Sequence, residues 1–403
     1  MKKLAIINQR YGLEVNGGSE YYTRLIAEHL NKYYDVEVLT TTALDYNTWK
    51  PHYAQGDKII NGVKVKRFSA EHSRNMLRFR VVSKLMCMFS KIGVRLDKWW
   101  VKEQGPYVKS LIQYIKENER EYDVFIFVTY LYYTTVIGLP EVADKSILIP
   151  TAHDEPYFYF PIYRKLFEMP KAIIFLTEEE KKFVRDKFNN EKIPYDVIGV
   201  GIDIPKKFQD EKTCEKAISE FRQKYHITGK YIIYAGRVDY GKKCDEMFTF
   251  FIRFKKDHPE DEIQLVVIGK DMMGVPKHQD IRHLGFVSEE DKYSGIAGAE
   301  YLWLPSQFES LSIALLEAMA LGVPGIVNGN CEVLKGHCTK SESGVFYRSY
   351  EEFEQEFLML AESKEKYETM SVKAKRYVEK NYDWITIEKK FKMMIDNMQM
   401  EYF

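Results

Sequence analysis

Two doubly wound α/β domains built on parallel sheets are what this sequence predicts, on three observations. Short continuous apolar runs alternate with amphipathic segments along the chain. The alternation breaks once, just after residue 200, and then restarts. The 403 residues are also enough for two cores of ordinary size. Runs that are apolar throughout, rather than at every second position, mark strands covered on both faces, as in a parallel sheet flanked by helices.

In the first block the runs fall at 4–8, 36–39, 63–68, 124–128, 146–149, 172–176 and 196–200. A glycine-containing loop at 11–19 and a helical pattern at 20–30 separate the first two. Residues 201–214, GIDIPKKFQDEKTC, carry Pro205 and mixed charge and read as a linker. The second block predicts a strand at 231–234, a helix at 244–256 and a strand at 265–268 closing on Gly269. Strand 301–304, helix 312–321 and strand 325–327 follow. Residues 382–398 read as an amphipathic helix with Trp384, Ile387, Phe391, Met394 and Ile395 on its apolar side.

Composition narrows the function classes. Lys plus Arg and Asp plus Glu each number 59, so net charge offers no argument for a nucleic-acid partner, and none is expected. The five cysteines are odd in number, widely spaced and free of CxxC pairs, which points to reduced thiols rather than a disulfide framework. Cys331, His337 and Cys338 cluster in CEVLKGHC, but no second ligand pair of zinc-like spacing accompanies them, and no metal site is expected. The apolar run near the N-terminus is too short for a signal peptide, and no run approaches membrane-spanning length. The expectation is a cytoplasmic protein, soluble or peripheral on the inner face of the plasma membrane.

Open parallel sheets bind ligands outside the carboxyl ends of their strands. That rule selects the loops at 11–19, 153–156, 236–243, 269–274 and 305–312. The most informative is within PSQFESLSIALLEAMALGVPGIV, residues 305–327. A strand ends at Leu304, Glu309 sits in the loop, and a helix opens near Leu311 or Ser312 with unpartnered amides and a positive dipole end suited to a diphosphate. Glu309 is placed to accept hydrogen bonds from sugar hydroxyls, and Glu317 from a ribose; the plain alternatives are a helix N-terminal charge and a solvated glutamate. Residues 234–248, YAGRVDYGKKCDEMF, present Arg237 and Lys242 after Gly236. Two cations on one strand-to-helix loop suit a leaving diphosphate; the plain alternative is two surface cations.

Two glutamates inside a Pro-Ser…Glu…Leu-Leu-Glu-Ala-Met-Ala-x-Gly-x-Pro frame resemble the donor-site signature of glycosyltransferase family 4. The resemblance extends through the Arg237 and Lys242 loop, NGGSEYYTRLIAEHL with Gly17 and Gly18, His153 in AHDEP, VIGVGID at 197–203, and the segment around Trp384. It departs at Ser310 and at Lys243, where the family usually has glycine. It implies the GT-B fold, with two Rossmann-like domains facing a central cleft. Residues 1–204, joined by a returning helix at 382–403, would bind the acceptor, and residues 205–381 the donor. It further implies a retaining hexosyltransferase using a UDP- or GDP-linked sugar and a glycan or lipid-linked acceptor, in cell-surface polysaccharide or glycoconjugate synthesis. No cofactor and no metal would be needed. Arg237, Lys242, Glu309 and His153 would be catalytic. Gly17, Gly18, Gly236, Ser310, Leu311, Ser312, Ile313 and Glu317 would hold the donor. The rival from another class is a nucleotide-sugar-binding protein of the same fold that has lost catalysis.

One stretch stands outside that pattern. Residues 73–102 carry eight Lys or Arg against the single acid Asp97, interleaved with apolar and aromatic residues. They read either as core-packed helices with a solvated basic face or as a docking surface for an anionic membrane.

Overall fold

A computed structural model describes residues 1–15, 17–89, 96–361 and 363–398. The chain divides into two compact units, Met1–Val200 with Ile387–Phe403, and Gly201–Thr386.

The first unit contains β1 (Lys3–Ile7), β2 (Asp35–Thr41), β3 (Gly56–Ile60), β4 (Val63–Phe68), β5 (Val124–Val128), β6 (Ser146–Ile149), β7 (Ala172–Phe175) and β8 (Tyr195–Val197). Their order in one sheet is β3-β4-β2-β1-β5-β6-β7-β8. Neighbours pair in parallel except the β3–β4 hairpin, which is antiparallel from Gly56↔Arg67 to Ile60↔Val63. Every residue of β5, β6 and β7 is buried. Such burial explains why these strands read as unbroken apolar runs. Trp100, Phe125, Phe127, Phe158, Tyr163 and Phe167 lie in the core beside them.

The second unit contains β9 (Tyr231–Ala235), β10 (Gln264–Ile268), β11 (Ile281–Gly285), β12 (Tyr301–Leu304), β13 (Gly325–Asn328) and β14 (Gly344–Tyr347). All pair in parallel, in the order β11-β10-β9-β12-β13-β14. That is the doubly wound dinucleotide-fold order. Trp303 of β12 stacks on Phe353 at 4.3 Å and donates its indole N–H to the Tyr347 hydroxyl at 2.9 Å.

Three strands were absent from the sequence reading: β3, β11 and β14. All three are edge strands, and β3 and β11 are largely solvated, so no continuous apolar run marks them. The segment 201–214 is not wholly a linker. A helix begins at Glu211, capped by Asp210, whose Oδ2 accepts from the Thr213 amide at 2.9 Å. The C-terminal segment joins the first unit through Glu388, which bonds His29 Nδ1 at 2.6 Å, Lys32 Nζ at 3.1 Å and the Tyr33 hydroxyl at 2.7 Å. Lys390 Nζ adds a bond to the Val197 carbonyl at 2.9 Å.

Candidate functional site

In the second unit the chain leaves β9 for β10 on one side and later returns to β12 on the other. The loops after β9 and β12 therefore open on the switch point where doubly wound sheets bind ligands. Arg237 and Lys242 lie on the first loop and Glu309 on the second. The first of these loops is packed against the start of the loop after β10 at a glycine. Gly269, at φ +135°, passes so near the β9 loop that a Cβ there would fall 1.8 Å from the Gly236 carbonyl oxygen. The Gly236 amide in turn donates to the Ile268 carbonyl at 2.9 Å.

The charged side chains form a connected set. Lys242 Nζ meets Glu309 Oε1 at 2.6 Å, an ion pair joining the two loops. Asp239, between the two cations in sequence, serves both. Its Oδ1 accepts from the Lys242 amide at 2.8 Å, capping the short turn Tyr240–Lys242, while its Oδ2 pairs with Arg237 Nε. The Tyr234 hydroxyl donates to the Arg237 carbonyl at 2.6 Å, and burial pushes this phenol well above its ordinary range. The loop thus presents two cations on a backbone pinned from beneath.

The two departures from the family pattern differ physically. Lys243 adopts the left-handed region at φ +58°, where an L residue is strained and glycine is not. Ser310 takes no left-handed φ. The left-handed residue of that loop is Ser312, at φ +67°, immediately before the helix Ile313–Ala320. Leu311, buried, is fixed by its carbonyl, which accepts from His337 Nε2 at 2.8 Å. A carbonyl can only accept, so Nε2 carries the proton and Nδ1 faces the Tyr377 hydroxyl at 3.1 Å. His337 therefore buttresses the loop. Burial raises its neighbours Cys331 and Cys338 to about 11 and about 12, so both are inert thiols. Among the described residues, no group of three metal-ligating side chains occurs.

Glu317 is buried, and its Oε1 takes Lys292 Nζ at 2.6 Å and the Tyr293 hydroxyl at 3.0 Å. It is neither a solvated helical glutamate nor unpartnered.

The remaining expected residues belong to the first unit. Gly17 caps the helix Gly18–Leu30 with φ 162°, extended backbone open to any residue. Its requirement is steric: a Cβ there would lie 2.1 Å from Glu20 Oε2, whereas one on Gly18 meets nothing within 4 Å. Beneath this loop Glu20 Oε1 accepts from Gln9 Nε2 and Arg10 Nε, each at 2.9 Å, and Arg10 Nη1 reaches the Leu44 carbonyl at 2.7 Å. Both members of this ion pair are buried. His153 follows β6, half-buried, with Nδ1 3.9 Å from Glu155 Oε1. Its loop is tied down by the buried Glu180, whose Oε1 accepts from the Ala152 amide at 2.5 Å and Oε2 from the Leu176 amide at 2.6 Å. The amides favour the carboxylate, but desolvation is the larger effect and pushes Glu180 up to about 8.

Sequence reasoning named Arg237, Lys242 and Glu309 on the two loops of the second unit. It missed Asp239, Lys292, Tyr293, Arg10, Glu20 and Glu180, and it gave His337 no role beyond the metal cluster it set aside. Asp239 three residues before Lys242 is a cap signal that was legible; the others pair over distances that no local pattern marks.

Two doubly wound units, one of them carrying Arg237, Lys242 and Glu309 on the loops at its switch point, define a protein of the GT-B fold. Residues 217–377, within the second unit, match the model of the family described as Glycosyl transferases group 1. Solved structures resemble the chain over its whole length. Sucrose-phosphate synthase from Thermosynechococcus elongatus matches at TM-score 0.69 and 14% identity, covering 99% of both chains. Anabaena Alr3699/HepE in complex with UDP and glucose matches at TM-score 0.71 and 13% identity, over 98% of this chain and 100% of that one. WaaG, a glycosyltransferase involved in lipopolysaccharide biosynthesis, matches at TM-score 0.66 and 14% identity, over 97% and 99%. At such identities the likeness is one of fold. No curated protein matches the chain in sequence.

Proposed function

We propose that this glycosyltransferase moves a hexose from a nucleoside diphosphate sugar to an acceptor hydroxyl with retention, in cell-surface polysaccharide or glycoconjugate synthesis. The observation that carries the proposal is the Lys242–Glu309 ion pair across the switch point, with Arg237 on the same loop. Of the two nucleotides, UDP has the support of the Alr3699/HepE structures, which hold UDP and UDP-glucose.

In this reading the donor diphosphate lies against Arg237, Lys242 and the Ile313 and Ala314 amides that open the helix Ile313–Ala320. Gly236, Ser310, Leu311 and Ser312 let the backbone approach it. Glu317 takes the ribose hydroxyls, its carboxylate oriented by Lys292 and Tyr293. Glu309, displaced from Lys242 by the phosphates, accepts from the sugar hydroxyls. The family resemblance assigns Gly17 and Gly18 to donor binding and His153 to the transferred sugar. The bond from the anomeric carbon to the phosphate oxygen breaks as a bond to the acceptor oxygen forms on the same face. The leaving phosphate takes the acceptor's proton. Arg237 and Lys242 neutralise the charge gathering on that phosphate, so the reaction runs without a metal ion.

A thermal-shift screen across UDP- and GDP-sugars tests donor binding, since a ligand at about 100 times its Kd stabilises the folded state by about 2.7 kcal/mol. Donor turnover by wild type and Lys242→Ala tests the chemistry, and a fall on the order of a hundredfold or more is expected. No shift with any donor, or equal turnover by the variant, would overturn the assignment.

A further inference from the structure

The helix Met76–Phe89 takes no part in the donor site, yet it has two apolar faces. One is buried, through Phe79, Val82 and Met86, and is held by the bond from Trp100 Nε1 to Ser83 Oγ at 2.9 Å. The opposite face carries Leu77, Val81 and Met88 at 73%, 50% and 57% exposure, at spacings that place them in one line along the helix. Lys84 lies in the same line and Arg80 beside it, both exposed. The helix contains no acidic residue. Arg78 is paired with Glu103 at 2.9 Å, whereas Arg80 and Lys84 meet no acidic partner among the described residues. The companion helix Asp97–Gln104 leaves Trp99 exposed as well.

We infer that this face docks on an anionic lipid bilayer. The argument is charge complementarity joined to layering. A bilayer surface offers an apolar layer directly beneath an anionic one. A line of apolar side chains with Lys84 within it and Arg80 beside it matches that order, the apolar groups entering the acyl boundary while Arg80 and Lys84 reach the phosphates. The inference rests on the proposed transfer only for what the membrane would present, a lipid-linked acceptor; docking itself is independent of catalysis. Among the described residues no helix is long and apolar enough to cross a membrane.

Flotation of the full chain with vesicles tests this, comparing phosphatidylcholine alone with equal parts phosphatidylcholine and phosphatidylglycerol. Binding is expected only to the anionic vesicles and is lost at high salt. The Arg80→Gln, Lys84→Gln pair should weaken it roughly 30-fold. The Leu77→Ser, Val81→Ser, Met88→Ser triple should abolish it. Equal binding to neutral vesicles, binding to neither, or variants that bind like wild type would each overturn the inference. Lipid-free self-association that the serine triple abolishes would overturn it in favour of a second copy of the chain. The melting shift induced by UDP, measured on every variant, reads folding and donor binding separately. A wild type that binds anionic vesicles but shows no UDP shift would refute the donor reading and leave docking intact.

Discussion

Replacing Asp239 by alanine removes two bonds at once, and the structure assigns each a size. The bond from the Lys242 amide to Oδ1, at 2.8 Å, is a cap whose loss costs about 1 kcal/mol. The Oδ2 pairing with Arg237 is partly solvent-exposed and contributes less than about 1 kcal/mol to stability. The expected destabilisation is thus about 1 to 2 kcal/mol, well short of unfolding the unit. Activity should suffer more. Both cations lose the group that aims them, and a misplacement of about 1 Å lowers turnover on the order of a hundredfold. Asp239→Asn separates the two effects, because asparagine caps as well as aspartate but carries no charge for Arg237. Its stability should stay near wild type, with turnover between those of wild type and the alanine variant. Urea unfolding, calorimetric UDP binding and turnover of a UDP-sugar measure the three quantities. Wild-type turnover in Asp239→Ala would refute the positioning argument. Equal stability loss in both variants would refute the cap.

Three other perturbations have definite signs. Lys243→Gly should raise stability by about 1 kcal/mol despite the glycine, because it relieves a left-handed lysine; a lower melting temperature would count against it. Glu20→Ala should cost roughly 3 to 5 kcal/mol by leaving Arg10 buried and uncompensated, while Arg10→Met combined with Glu20→Leu should cost far less; denaturant midpoints of both would decide. Glu180 rises from its ordinary 4.5 to about 8 on folding, so across that window the folded protein holds a proton the unfolded chain has released. Stability then falls as pH rises between these values. Glu180→Gln lacks that proton and should gain on wild type across the same window; parallel urea midpoints at stepped pH would refute the linkage.

How much was legible follows from burial. β5, β6, β12 and the other central strands were visible because helices cover both their faces, leaving no polar position to break the run. β3 and β11 were not, because an edge strand needs few apolar residues and theirs are mostly solvated. Glycines illustrate the same limit. Gly17 stands in the sequence as one of a glycine pair before a helix, yet its extended backbone is ordinary, and the Glu20 carboxylate three residues on is what excludes a side chain.

The sequence by itself determined the two alternating blocks, the loops that follow their strands, and the residues Arg237, Lys242, Glu309 and Glu317 on or beside those loops. Local periodicity and residue type carry that information, because strand burial and helix starts are local properties. Only the tertiary structure decided the pairings. Lys242 meets Glu309 across 67 residues, Lys292 meets Glu317 across 25, and His337 holds Leu311 across 26. Sheet order sets these meetings by placing β12 beside β9 rather than beside β11. A linear pattern of apolar and charged residues records each partner but not which strands become neighbours.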